Sequence, residues 1–256
     1  WVGFVNFQKL FGMYGFQRAL YNTLIISLAK IIFGFPVPII FAILLNEVNN
    51  TLFKKFVQTS VSLPNFISWV VVQGFLFALF SPSSGAIKEI MNSIGYQGEV
   101  INLLANKEYF RQLIVISDIW KGFGYGSIMY IATISTIDQE LYEASKVDGA
   151  SKLRQIWHIT LPGLRSTIII MLILRVGSVL DAGFEQIYAI YNPMVYDVSE
   201  ILDTFIYKLG IEKMNFSVST AAGVFKSVIG LFMVIVTNYI AGKIDESSAL
   251  IQRGEV

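Results

Sequence analysis

The sequence predicts an all-α protein that crosses a membrane several times. Three observations carry this reading. Hydrophobic residues make up 54% of the 256 and charged residues only 14%, where a soluble domain carries about 25% charge. Mean hydropathy is +0.61. Apolar runs of about 20 residues recur along the chain, which is the length a helix needs to cross the hydrocarbon core of a bilayer. Barrel strands are half as long and alternate in polarity, so the spans are helices. Too few charges are present to cover this much apolar surface in water. A disordered chain, a nucleic-acid binder and an ordinary soluble enzyme are thereby excluded.

Taken in order, residues 1–19 read as an amphipathic segment lying on the bilayer surface. The chain opens on Trp1 with no basic leader segment, and we expect an N-terminal piece holding one further span to precede it. The first run, 21–45, carries Pro36 and Pro38. Each removes a backbone donor and clashes with the preceding turn, so a kink is expected. The second run is 61–80. The third, 113–134, contains Gly122 and Gly126, one helical turn apart, a spacing that allows close helix packing in a membrane. The fourth, 164–180, is short; Leu161 and Pro162 extend it, since proline suits a first helical turn. The fifth is 221–241. Between them, 46–60 is short, 81–111 carries Gly and Asn turn signals, 135–163 is polar and helix-forming, and 181–219 is the longest connection. A polar tail follows from residue 243. No internal repeat or low-complexity tract is present, and the chain reads as one domain.

Charge says little about partners or orientation. Lysine and arginine number 19 against 18 acidic residues, so no strong field steers an acidic ligand. Basic residues divide almost evenly between the two sides of an alternating topology, so the positive-inside rule assigns no orientation. There are no cysteines and one histidine, His158. A disulfide framework and a thiolate or histidine metal site are excluded. His158, between Trp157 and Ile159, reads as an interfacial side chain. Asn215-Phe-Ser217 matches a glycosylation acceptor, a match we treat as accidental.

The segment that points to function is Glu143-Ala-Ser-Lys-Val-Asp-Gly149, followed by nine residues and then Ile159-Thr-Leu-Pro162. Residues 139–147 favour helix, with Asp138 available as N-cap. Leu141, Ala144 and Ser145 share a face at helical spacing, and small residues there would let a short helix seat in a groove. Gly149 can take a positive φ and end the helix. Residues 150–158 then form a second short helical stretch leading to Pro162. The segment resembles the EAA signature of permease subunits of binding-protein-dependent ABC importers: every spacing matches, and the one departure is Ser145 in place of a second alanine. Leu63–Val72 (LPNFISWVVV), Ile137–Ala150 (IDQELYEASKVDGA), Gly183–Pro193 (GFEQIYAIYNP) and Asp203–Gly210 (DTFIYKLG) resemble the branch that imports oligosaccharides and polysaccharide fragments, uronate-containing ones among them.

The resemblance implies a type I importer fold with six spans and both termini cytoplasmic, the five runs here being the second to sixth. It implies that 135–163 is a cytoplasmic coupling loop in which Glu143, Ala144, Ser145, Asp148, Gly149, Leu161 and Pro162 dock onto an ATPase. It further implies that 181–219 faces outside, where a solute-binding protein delivers the sugar. The implied partners are a second permease subunit, two ATPase subunits that bind ATP and magnesium, the binding protein, and the lipid bilayer of a bacterial cytoplasmic membrane. The chain itself is expected to hold no cofactor or metal and to catalyse no covalent chemistry. Consistent with this, no phosphate-binding G-x-x-x-x-G-K-[ST] loop occurs; the glycine-rich stretch 122–126 has no lysine after it.

Ionisable residues within the spans are costly and mark either structural pairs or a wet path. They are Lys30, Asp118, Lys121, Arg175 and Lys226, with Asp118 and Lys121 spaced to pair on one helix face. Aromatic rings stack on sugar faces while amides and carboxylates bond hydroxyls. On that chemistry, the candidate sugar path is Trp69, Gln73, Asp118, Trp120, Lys121, Arg175, Asp181, Glu185 and Gln186. The alternative function is an ion-gradient-driven secondary transporter, favoured by the charges within spans and opposed by the EAA spacing and by the lack of an inverted repeat.

Overall fold

In a computed structural model that describes residues 2–95, 98 and 101–244, every regular element is helical. The chain order is α1 (Val5–Phe11), α2 (Tyr14–Ala29), α3 (Pro36–Asn46), α4 (Thr51–Ser62), α5 (Trp69–Phe80), α6 (Ala86–Ser93), α7 (Phe110–Ser135), α8 (Gln139–Val147), α9 (Lys152–Gln155), α10 (Leu161–Gly177), α11 (Phe184–Ile190), α12 (Tyr196–Ser199), α13 (Leu202–Tyr207) and α14 (Phe216–Ile244). The polar tail expected beyond residue 243 lies almost wholly outside the described residues.

The long apolar helices follow from the runs in the sequence, because a backbone in hydrocarbon must bond to itself. Among the described residues, three are long and apolar enough to cross a membrane: Tyr14–Asn46, Lys152–Gly177 and Phe216–Ile240. Where a kink is expected in the first run, the chain passes through a π-helical turn over Lys30–Gly34, directly before Pro36. A proline has no N–H to give the carbonyl four residues back, and a widened turn is one way to accommodate that loss. The third helix-forming run, α7, has 26 residues and spans roughly 39 Å. The second run differs from a single straight span. It is broken into Thr51–Phe66 and Trp69–Phe80. The chain tightens to a 3₁₀ turn over Leu63–Phe66, and α5 starts afresh with Ser68 as N-cap, its hydroxyl accepting from the Val71 N–H.

The chain folds into two compact units. Among the described residues, the first comprises those within 2–30, 67–118 and 179–230. Its core joins Val72 and Leu76 of α5, Phe110, Leu113 and Ile114 of α7, and Ile187 and Ile190 of α11. A polar clamp ties α2 to α12. The Arg18 guanidinium donates to Asp197 Oδ1 at 2.9 Å and to Glu200 Oε2 at 2.6 Å. Lys107 donates to the other Asp197 oxygen, and Lys208 bonds Glu200 while lying 3.7 Å over the Tyr196 ring. Asn22, fully buried, donates to the carbonyls of Asp197 and Glu200 and accepts from Arg111.

Among the described residues, the second unit comprises 31–66, 119–178 and 231–244. Its core packs Ala42 and Ile43 of α3, Tyr130 and Ile134 of α7 and Leu164 of α10. The close helix approach sits at Gly124, not at the Gly122 and Gly126 pair. A Cβ on Gly124 would run into the Val61 carbonyl and lie 2.9 Å from the Ser62 nitrogen. Gly122 has open space on that side, and Gly126 meets only the Pro38 ring at 3.4 Å. The one-turn spacing marks the Gly122 and Gly126 face, but the close neighbour lies against Gly124, roughly 200° around the helix and so on the other side.

Candidate functional site

Helix α8 begins as the sequence specifies. The Asp138 carboxylate accepts from the Glu140 N–H at 2.9 Å, satisfying one of the unpaired donors of the first turn. The helix ends at Asp148, and Gly149 adopts φ +73°, a left-handed conformation open to glycine at little cost. The Ala150 N–H then bonds back to Ser145 O, closing the helix end. Ser151 caps α9, which passes through a π-helical turn, Ile156–Thr160, into α10. Pro162 sits in the first turn of α10.

Ser145 does more than a small-for-small exchange with alanine would. Its hydroxyl accepts from the Gln155 side-chain amide at 2.8 Å and donates to the Tyr142 carbonyl at 2.8 Å. Gln155 is 2% exposed. The Tyr142 hydroxyl is within 3.0 Å of Thr160 Oγ1. These bonds hold α8 against the α9–α10 junction along its Tyr142–Ser145 edge. The opposite side stays open: Glu143, Ala144, Asp148 and Gly149 are exposed, as are Leu141, Val147, Leu153 and Trp157. Near the same segment Lys152 Nζ pairs with Glu47 Oε2 at 2.6 Å, joining the end of α3 to α9. The result is a short helix fixed on one edge, with an exposed face that mixes an acidic residue with apolar ones. That is the character of a docking element. His158 is exposed and its Nδ1 contacts the Arg154 carbonyl.

The candidate path residues divide between the two units. In the first, Lys30 forms a buried node that sequence spacing does not reveal. It is 3% exposed, and its ammonium donates to Asp118 Oδ1 at 2.9 Å, to the Ala182 carbonyl at 2.9 Å and to Gln186 Oε1 at 2.5 Å. The Gln186 amide continues to Ile114 O and Ser117 Oγ. Gly183 makes room for this node: its φ is +94°, and a Cβ there would lie 2.9 Å from Lys30 Nζ. Thus Asp118 pairs with Lys30 across 88 residues of sequence, and Gln186 is internal rather than open. Trp69 packs against the core of this unit. Gln73, Asp181 and Glu185 are exposed. In the second unit, the Lys121 ammonium donates to the Asn65 carbonyl at 2.6 Å, at the 3₁₀ turn where the second run bends. Trp120 is 44% exposed and Arg175 is exposed. No cluster of metal-ligating side chains occurs among the described residues.

Known proteins share both the sequence and this architecture. The sequence model of the family described as "binding-protein-dependent transport system inner membrane component" matches residues 4–246. Protein LplB of Bacillus subtilis (strain 168) is 44% identical over 246 residues, covering 96% of this chain and 77% of that protein. The polygalacturonan/rhamnogalacturonan transport system permease protein YteP of the same organism is 46% identical over 246 residues, covering 96% and 76%. Among solved structures, a chain of a bacterial ABC transporter involved in the import of the acidic polysaccharide alginate superposes with a TM-score of 0.91 at 40% identity, covering 96% of this chain and 85% of that one. A chain of the bacterial alginate transporter in complex with an alginate pentasaccharide-bound periplasmic protein gives a TM-score of 0.90 at 40% identity, covering 94% and 83%.

Proposed function

The chain belongs to the family of binding-protein-dependent transport system inner membrane components, and from that premise we propose that it is the membrane-spanning subunit of an importer for oligosaccharides or polysaccharide fragments. A separate ATPase supplies the energy from ATP and magnesium, and an extracytoplasmic binding protein delivers the sugar. A second permease subunit completes the passage. The membrane is the bacterial cytoplasmic membrane, with residues 135–163 inside and 181–219 outside.

One observation carries the coupling role. The EAA-like segment forms a helix that is hydrogen-bonded to its own chain along one edge and exposed along the other, with Glu143 and Gly149 on the exposed part. A helix held this way moves with α9 and α10 as a rigid piece. Force applied by an ATPase at Glu143 would pass into α10 through the Tyr142–Thr160 and Ser145–Gln155 bonds. The substrate class rests on the relatives, two of which are named for acidic polysaccharides. The engagement of Asp118 with Lys30 supports ATP as the energy source over an ion gradient, since it occupies the carboxylate best placed within a span to carry an ion.

Gly149→Pro tests the assignment. Proline cannot adopt φ +73°, so the turn after α8 is distorted while the spans are untouched. The complete importer should still assemble in the membrane and lose sugar-stimulated ATP hydrolysis. Normal stimulation in this variant would refute the coupling role.

A further inference from the structure

The connection after α10, with Phe216, Ser219 and Lys226 of α14, lines an open cleft of about 480 Å³, wholly within the first unit, that shares only Asp181 with the path residues above. Its walls include Asp181, Phe184, Asp203, Tyr207, Phe216 and Lys226. The volume falls in the range of small-molecule sites. Lys226 Nζ donates to Asp203 Oδ1 at 2.5 Å, and the two side chains are 25% and 18% exposed. The second Asp203 oxygen is buried with no hydrogen-bond partner, so among the described residues Lys226 alone compensates that carboxylate. Asp181 is exposed, with one oxygen accepting from the Gly183 N–H. The rings of Phe184 and Tyr207 lie 5.6 Å apart at 50°, and Tyr188 extends the aromatic surface at 5.0 Å from Tyr207.

These parts match one chemistry. An ammonium has three donors, and Asp203 takes one of those of Lys226. Asp181 supplies an open acceptor, and the tilted Phe184 and Tyr207 rings offer apolar faces on the same wall. Hydroxyl groups can both donate and accept there while the C–H face of a pyranose lies against the rings. Two carboxylates against one ammonium leave the site net negative, which opposes a uronate carboxylate. We propose that this cavity is a subsite for one uncharged sugar unit of the transported oligosaccharide, with Lys226 as donor, Asp181 as acceptor, Phe184 and Tyr207 as platform, and Asp203 as the residue that positions Lys226 and cancels its charge. The proposal rests on the reading of the chain as an oligosaccharide permease and adds where, and for which part of the substrate, the chain discriminates.

The test uses the complete importer in nanodiscs with a single cysteine at Ile211, a lining position in a chain that has no cysteine of its own. Alkylation by a small uncharged maleimide is followed by mass on this chain. A neutral pentasaccharide should slow alkylation about fivefold, the scale of one net hydrogen bond, and an oligogalacturonate of equal length should slow it far less. Lys226→Met should abolish protection. Asp203→Asn keeps an oxygen for Lys226 and removes one negative charge, so it should shift protection toward the oligogalacturonate, a change of preference that a purely structural role would not produce. Equal protection by both sugars in the parent protein, protection by tetramethylammonium instead, or no protection while binding-protein-stimulated ATP hydrolysis is intact would each overturn the subsite and leave the importer reading standing. Absence of ATPase stimulation by any sugar-loaded binding protein would overturn the importer reading and the subsite with it.

Discussion

Replacing Lys30 by methionine should destabilise the protein more than any other single exchange on the first span. The side chain keeps its length and apolar stem but loses the ammonium that donates to Asp118, Ala182 O and Gln186 Oε1. Breaking a buried ion pair by removing one partner costs about 3–5 kcal/mol, because the other charge is left uncompensated. Asp118 is 28% exposed on its side chain, so water screens part of that cost and the lower end, about 3 kcal/mol, is the better figure. For a chain of this size each kcal/mol moves the melting temperature by roughly 2–4 °C, which gives a fall of about 6–12 °C. Thermal unfolding of the purified complex in nanodiscs would read it. Asp118→Asn should cost less, since an amide oxygen still accepts from Lys30. The Lys30→Met, Asp118→Asn pair should recover part of the single loss, because the orphaned charge is gone. A shift below about 2 °C for Lys30→Met, or losses that simply add in the double variant, would refute the view that the ammonium holds this node.

Three further outcomes follow from the packing and the charges. Gly124→Ala must push α7 away from the Val61 carbonyl, which is backbone and cannot rotate aside; a loss of about 1–3 kcal/mol is expected, while Gly122→Ala, facing open space, should be neutral or mildly stabilising. Equal melting temperatures for the two variants would contradict the assigned contact. Ser145→Ala restores the alanine of the signature yet strips Gln155 of its hydroxyl partner, so amide exchange across residues 139–149 should quicken by a factor set by about 1 kcal/mol or more; unchanged exchange would show that the Ser145–Gln155 bond does not fix α8. The Asp197 carboxyl is held below the usual aspartate range, by the hydrogen bond from Lys107 first and by the charges of Lys107 and Arg18 after it. A folded-state value lower than the unfolded one contributes stability that is complete above the ordinary aspartate range and is lost as pH falls through the depressed value. Protease sensitivity of the 191–200 segment should therefore rise only in acid below about pH 4 and not at neutral pH. A rise already at pH 6 would point to a different group.

Much of the fold is readable from the sequence because long apolar runs have one solution in a bilayer. The runs around 21–45, 164–180 and 221–241 correspond to helices of sufficient length and hydropathy. The N-cap at Asp138 and the positive φ at Gly149 are readable too, since both are local decisions made within four residues. The break in the second run is hidden by its uniform hydropathy. Its signals are nonetheless present as Pro64-Asn65 and a serine at 68, the residues of a helix end followed by a new N-cap. The Lys30 node has no local signal at all. Its acceptors lie 88 to 156 residues away, and the helical spacing of Asp118 and Lys121 suggests a nearer partner. Likewise, the Gly122 and Gly126 spacing marks one face of α7, whereas the close backbone neighbour lies on the other, against Gly124. At Ser145, size alone invites the comparison with alanine, whereas the fold uses the hydroxyl.

The Lys30 node also has a meaning for how the chain is made. Gln186 is synthesised 156 residues after Lys30. At a translation rate of about 5–20 residues per second, that interval is roughly 8–30 s. Asp118, only 88 residues on, appears within it, so the lysine gains its carboxylate first, while the Ala182 and Gln186 acceptors are still to come. A lone ammonium at such a position is costly in lipid. The node therefore closes in two stages, the ion pair with Asp118 first and the contacts to Ala182 O and Gln186 Oε1 once the last third of the chain arrives. A chain ending between residues 118 and 182 would keep the ion pair and lack two of the three acceptors of the ammonium.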